Sequence, residues 1–185
     1  LALTLAYITR MHGPIEEGVT VLETALAYDL PPRDKLKLKI SSFNTALSQR
    51  NWQDVLQDIQ RCYADFEGVL TNRDVVELLV AEARVYASIN RVDNARDKIE
   101  QAIQLSEQNG FRHLYAECLI KRTNWSPQHP TAHADLQRVI ALMKQDGNLL
   151  QLGTAWFNMG QFFRRRRAKG DFTAARQSMY TAQKI

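Results

Sequence analysis

The chain has 185 residues, a hydrophobic fraction of 45% and a formal net charge of +4 from 24 basic and 20 acidic side chains. That composition is not that of a disordered chain, the mild basic excess permits an acidic partner without requiring one, and no apolar run approaches the roughly 18 residues of a membrane span. No charged segment followed by an apolar one opens the chain, so nothing directs export and the compartment implied is the cytoplasm.

Apolar residues recur at intervals of three and four along almost the whole sequence. The pattern predicts ten helices and no strand, over about 1 to 11, 14 to 29, 33 to 49, 52 to 68, 73 to 89, 92 to 108, 112 to 124, 130 to 145, 148 to 167 and 171 to 184. The first starts at once with Leu1-Ala2-Leu3-Thr4-Leu5-Ala6, without an initiator methionine, which implies a piece of a longer protein. Pro14 and Pro32 suit first-turn positions of the second and third, where a missing amide hydrogen costs nothing. In the third, Lys35-Leu36-Lys37-Leu38-Lys39-Ile40 alternates like an edge strand, but Leu36, Ile40, Phe43 and Leu47 continue at helical spacing and decide for a helix.

Further along, Trp52 follows a turn, and Thr71 with Asp74 forms a capping-box signature ahead of Val75-Val76. Asp34, Asp54, Asp74 and Asp93 all fall in first turns, where the helix dipole favours a negative charge. The two cysteines, Cys62 and Cys118, stand alone inside helical patterns, which fits small core fillers and neither a disulfide framework nor a zinc site. The helix from Arg112 to Asn124 is short and gives way to Trp125-Ser126-Pro127.

The second helix of each pair repeats a pattern: a small residue, an apolar one four later, and a small one three after that. It reads Gly18-Leu22-Ala25, Val55-Ile59-Cys62, Ala95-Ile99-Ala102 and Ala175-Met179-Ala182, with starts 37, 40 and 80 apart. A fixed period near 40 marks stacked repeats, and the double gap puts a member at Asp135-Val139-Leu142, where an acid replaces the small residue. Small side chains such as Ala95 and Ala102 remove little area from water; they let a second backbone come close.

Gly170-Asp171-Phe172 with Ala174-Ala175, Met179 and Ala182 resembles the second half of a tetratricopeptide repeat (TPR), with Gly160 and Phe163, or Ala83 and Tyr86, as the small and aromatic residues of the preceding helix. The repeats run near 40 residues where the family standard is about 34. Units of this length resemble the sensor regions of large bacterial regulators, MalT-like activators and signalling ATPases. The resemblance implies an all-α fold, an α-α superhelix or TPR-like solenoid of about five antiparallel pairs. It would form a single domain over 1–185 with units of about 1–30, 31–70, 71–110, 111–146 and 147–185.

In that family the first helix of each pair lines a concave groove. The family register puts groove positions on Tyr7, Arg10, Lys37, Asn44, Glu77, Arg84, Thr154, Phe157, Gln161 and Arg164. This mixed and net basic set differs from the lysine and asparagine clamp with which chaperone-binding members grip a peptide carboxylate.

Candidate chemistry is sparse. His129 and His133 are four apart, but Pro130 stands where a zinc-protease motif needs glutamate and no third ligand is evident beyond Asp135, so no metal is expected. There is no phosphate loop, nucleophile elbow or carboxylate pair, so neither catalysis nor a cofactor is expected. Arg164 to Arg167, in four consecutive helical positions, point nearly all round the axis and suit the negative pole of a helix end. Trp52, the register counterpart of Phe172, is expected in packing, as is Trp156 beside Phe157, Phe162 and Phe163; Trp125 stays open.

The function expected is a protein or peptide interaction module of a larger cytosolic signalling or regulatory protein. The alternative is a sensor domain that binds a small-molecule effector or signalling peptide. A second alternative is nucleic-acid binding through Arg10, Arg84 and the Arg164 cluster. The sequence carries no signal for oligomeric state.

Overall fold

The computed structural model describes the backbone of residues 15–45, 51–126 and 128–185, with side chains from 20–43, 51–126 and 128–185. Among the described residues there are nine α-helices and no strand: α1 (Ile15–Leu26), α2 (Pro32–Thr45), α3 (Trp52–Asp65), α4 (Asn72–Ser88), α5 (Val92–Gln108), α6 (Arg112–Trp125), α7 (Ala132–Gln145), α8 (Leu149–Arg166) and α9 (Asp171–Gln183). Their bounds follow the sequence periodicity closely, apart from α1, which stops at Leu26 where the pattern ran to 29, and α3, which stops at Asp65 and continues as a 3-10 turn, Glu67–Val69; the stretch 46 to 49 expected to end α2 lies outside the described residues. The helix expected over 1 to 11 and the proline at 14 lie outside the described residues.

The start signals act as the sequence implies. Pro32 opens α2, and Thr71 caps α4 by accepting from the Asp74 amide while the Asp74 carboxylate accepts from the Thr71 amide at 2.8 Å. At the other ends, Asn90 and Gly110 take the left-handed conformation, φ 59° and 68°, after α4 and α5. Each lets the next amide reach back to an orphan carbonyl, Arg91 to Tyr86 at 2.8 Å and Phe111 to Ser106 at 2.9 Å.

The chain forms two compact bodies, Leu1–Ala102 and Ile103–Ile185. In the first, α2 packs between α1 on one side and α3 with α4 on the other. Leu38 meets Leu22 of α1, while Leu36, Ile40 and Phe43 join Val55, Ile59 and Cys62 of α3 and Leu78, Ala81 and Val85 of α4. That double burial is the reason for the alternation in Lys35-Leu36-Lys37-Leu38-Lys39-Ile40: the helix has two apolar faces and the lysines occupy what remains. Trp52 packs half-buried against the same core, as expected. Glu82, almost fully buried in α4, is neutralised by Lys98 of α5 at 2.7 Å.

In the second body α8 packs on both α6 and α7, and α9 closes against α8. The core contains Tyr115, Ala116, Cys118 and Leu119 of α6, Leu136, Val139 and Met143 of α7, and Leu152, Ala155, Met159 and Phe162 of α8. At Gly160 α8 and α9 pack with no room for a Cβ: one there would lie 2.7 Å from Met179 Cγ and 3.2 Å from the Ala175 carbonyl oxygen. Small residues at 160 and 175 serve backbone contact, as the repeat pattern implied.

Asp135, the acid in place of a small residue, has a clear job. It is buried at the start of α7 and takes two hydrogen bonds from Arg122 at the end of α6, at 3.0 and 2.8 Å, and a third from Thr131 at 3.0 Å. Asp171 repeats the device at the start of α9, gripped at both oxygens by Arg166 of α8 and by the Ala168 amide at 2.7 Å. In both pairs a salt bridge fixes the turn between the two helices.

Candidate functional site

Within the second body the first helices of two successive pairs, α6 and α8, lie side by side and are tied by polar bonds. His113 Nδ1 lies 2.9 Å from Gln151 Oε1, Asn124 donates to Asn158 Oδ1 at 3.2 Å, and Arg165 donates to the Asn124 carbonyl at 3.1 Å. Between them is a cleft of about 270 Å³ whose floor is Val139 and Met143 of α7 and whose walls include Glu117, Lys121, Asn124 and Thr154. Glu117 and Lys121 form an ion pair at 3.1 Å along α6. The cleft therefore combines an apolar floor with hydrogen-bonding walls, the two kinds of contact that a bound peptide uses.

The groove positions drawn from the family register fall in several places. Tyr7 and Arg10 lie outside the described residues, and so does the side chain of Asn44. In the first body Lys37 is exposed on α2, and Glu77 and Arg84 are half-buried on α4, with Glu77 accepting from Arg73 at 3.2 Å. In the second body Thr154 lines the α6/α8 cleft and its hydroxyl donates to the Leu150 carbonyl at 3.0 Å. Gln161 is half-buried. Phe157, 49% exposed, and Arg164 face a different side, toward α9.

The sequence reading assigned no groove residue to α6, because the short helix and the acid at 135 marked that repeat as degenerate. Polar residues at three- and four-residue spacing, His113, Glu117, Lys121 and Asn124, were the signal available.

The four arginines at the end of α8 separate by role, as side chains pointing all round a helix should. Arg165 binds α6, Arg166 binds Asp171 and lies 5.2 Å from the Phe162 ring, and Arg167 adopts a left-handed φ of 56° as the C-cap. Arg164 is exposed. The two histidines do not share a helix, because α7 begins only at Ala132: His129 bonds Thr131 at 2.8 Å and His133 stacks on Phe162 at 5.9 Å. Trp125 ends α6 half-buried, and half-buried Trp156 has Lys144 Nζ 5.9 Å from its ring.

Phe172 and its register counterpart differ in burial. Its counterpart Trp52 packs into a core, but Phe172 is 83% exposed because no described helix covers that side of α9. Burial pushes the thiols of Cys62 and Cys118 up, to about 11 and about 12. That suits core fillers, since burial favours the neutral thiol over the thiolate.

No protein-family model and no curated protein matches the chain. Solved structures do. BtubC (BKLC) from P. vanneervenii superposes with a TM-score of 0.70 at 12% identity, over 99% of this chain and 77% of that one. Kinesin light chain-like TPR-like repeats from Podosopora anserina superpose with TM-scores of 0.60 and 0.57, at 15% and 17% identity. They cover 98% and 100% of this chain and 91% and 96% of theirs.

These likenesses define the class: an all-helical fold of TPR-like solenoid repeats. They lend nothing to the narrower resemblance to bacterial regulator sensor regions.

Proposed function

We propose that the chain is a protein-interaction module that binds a peptide or helix on the face formed by successive first helices, α6 and α8. The observation that carries this is the α6/α8 cleft, with Val139 and Met143 as an apolar floor and Glu117, Lys121, Asn124 and Thr154 as walls able to select polar side chains. The TPR-like fold supports it, since stacked helix pairs present such faces by construction. Its setting would be a larger cytoplasmic signalling or regulatory protein, and the module itself would perform no catalysis.

Selection of peptides from a displayed library tests the reading. Peptides that bind should weaken roughly tenfold with Lys121→Glu or Thr154→Ala, in line with loss of one or two polar contacts to the cleft walls. Peptides indifferent to both would place the binding surface elsewhere.

A second reading is a sensor that takes a small molecule or short signalling peptide. The cleft, about 270 Å³, lies just under the range of small-ligand pockets, about 300–1,000 Å³, so it would take only a small effector or one side chain of a signalling peptide. A ligand there would bias the α6 to α8 spacing only as far as it prefers one arrangement. Soaking with a metabolite library and finding a ligand contacting Thr154 would support the sensor.

A further inference from the structure

The second body, Ile103–Ile185, carries twelve basic and five acidic side chains. All five acids, Glu107, Glu117, Asp135, Asp146 and Asp171, are ion-paired with bases of the same body. Its positive excess therefore has no side-chain carboxylate of its own to meet. Most of the cations that remain lie between Arg164 and Arg176, and one of them, Arg165, stands beside the α6/α8 cleft.

Arg165 differs from its neighbours in what its guanidinium does. Arg122 and Arg166 each close Nε and Nη2 on both oxygens of one carboxylate, that of Asp135 and that of Asp171. Arg165 is held by Nη1 alone, which donates to the Asn124 carbonyl at 3.1 Å and to Asn124 Oδ1 at 3.5 Å. Its side chain is exposed, and its Nε and Nη2 have no partner among the described residues. The group is thus fixed at one corner and presents the same fork that two other arginines of this body use on carboxylates.

The cleft sets the place of that fork. Asn124 lines the cleft and donates to Asn158 Oδ1, and Asn158 donates to the Thr154 carbonyl at 2.8 Å, so a chain of amides runs from the cleft wall to Arg165. Along α8, Thr154, Asn158 and Arg165 fall at intervals of four and seven, on one face. That face looks onto α6, the first helix of the preceding pair, so the seam lies inside the stack and not at its end. The helical rise puts Arg165 about 16 Å beyond Thr154, a span that about five residues of extended peptide cover.

We propose that Arg165 selects an aspartate or glutamate about five residues from the apolar side chain that the cleft holds over Val139 and Met143. This role rests on the α6/α8 cleft being the peptide site. Nε and Nη2 take the two carboxylate oxygens while Nη1 keeps its bond to Asn124, and the excess charge of the body adds attraction at longer range. The family register put Arg164 on the groove; the residue that faces α6 is the next one along.

The test selects a displayed library of random peptides of about 12 residues on the 185-residue chain, then sequences the peptides recovered and titrates them by fluorescence anisotropy. Aspartate or glutamate is expected at a fixed distance from an apolar residue. Affinity should fall about tenfold with Arg165→Glu, which turns attraction into repulsion, and return in that variant when the acid of the peptide is replaced by lysine. Arg165→Lys, which keeps the charge and loses the fork, should cost about threefold. Arg165 is exposed, so the thermal midpoint should hold, and the charge-swapped rescue separates a lost contact from a folding defect. Peptides that respond to Thr154→Ala but show no enrichment in acids, or ignore Arg165→Glu, overturn the role of Arg165 and leave the cleft standing. Peptides that ignore both Thr154→Ala and Lys121→Glu, or recovery of none, overturn the cleft as the peptide site and this role with it.

Discussion

Gly160 and Gly153 sit one helical stretch apart on α8 and should answer differently to the same change. A Cβ at 160 meets Met179 Cγ at 2.7 Å, whereas at 153 its nearest neighbour is the Ala182 carbonyl oxygen at 3.7 Å. Gly160→Val should therefore destabilise by about 1–3 kcal/mol through overpacking, and Gly153→Ala should stabilise by up to about 1 kcal/mol from helix propensity alone. Thermal melts of the two variants check both signs. The sequence carried the first of these, because Gly160 falls at the small position of the repeat. It could not carry Asp135: an acid at a small-residue position looks like decay until Arg122, thirteen residues earlier, is seen to fold back onto it. Asp135→Ala removes the carboxylate from a guanidinium that is almost as buried, 12% exposed against 9%. A cost of about 3–5 kcal/mol in chemical denaturation is expected.

The same scale sets the response to acid. For Asp74, burial pushes the carboxyl up, but hydrogen bonds from Arg33 and Thr71 outweigh it and hold the group below the usual carboxylate range. For Asp171, the Arg166 hydrogen bonds lead and the direction is also down. Both groups titrate lower folded than unfolded, so the stability they add is present above the unfolded value near 4 and is lost as pH falls through their folded values. A plot of thermal midpoint against pH should be flat from about 5 to 7 and fall below 4. Asp171→Asn should make that fall shallower. The raised thiols predict that 5,5′-dithiobis(2-nitrobenzoate) at pH 8 reacts with Cys62 and Cys118 only as the protein unfolds; fast reaction in the folded protein would contradict their burial.

At the scale of the element, helices were legible because periodicity, caps and turn residues agree. Thr71 with Asp74, Pro32 and Asn109-Gly110 each did locally what the pattern demanded over fifteen residues. Two elements show the limit. Region 35 to 40 needed tertiary context to explain its alternation, since a helix buried on two faces mimics a strand's period. The end of α3 fell short because Phe66 turns into the core at 7% exposure and converts the last turn to 3-10 geometry. Ile59 shows what such an element is worth. It is fully buried where α3 meets α2 and α4, so Ile59→Ala should cost about 2–5 kcal/mol in urea unfolding, with the loss shared by all three helices.

For the molecule, the architecture was legible and the candidate cleft was only partly so. Spacing near 40 residues survives drift in any one repeat, so ten predicted helices and a TPR-like class followed from it. A groove position is a matter of which side of a helix neighbours leave open, and that depends on packing angles the sequence does not state. Of the register positions on α8, Thr154 lines both the α6/α8 cleft and the hollow beside α9, whereas Phe157 and Arg164, one and three turns along the same helix, face only the α9 side. His113, Lys121 and Asn124 of the α6/α8 cleft fall outside that register for the same reason. Charge makes a further distinction: a peptide held over Val139 and Met143 should lose little affinity between about 50 and 200 mM salt, where nucleic acid on arginines would lose orders of magnitude.

The most direct measurement is amide hydrogen exchange of the chain with and without a selected peptide. The account predicts slowed exchange concentrated in 113–124 and 151–158, the two walls of the cleft. Protection elsewhere, with those two segments unchanged, would contradict it.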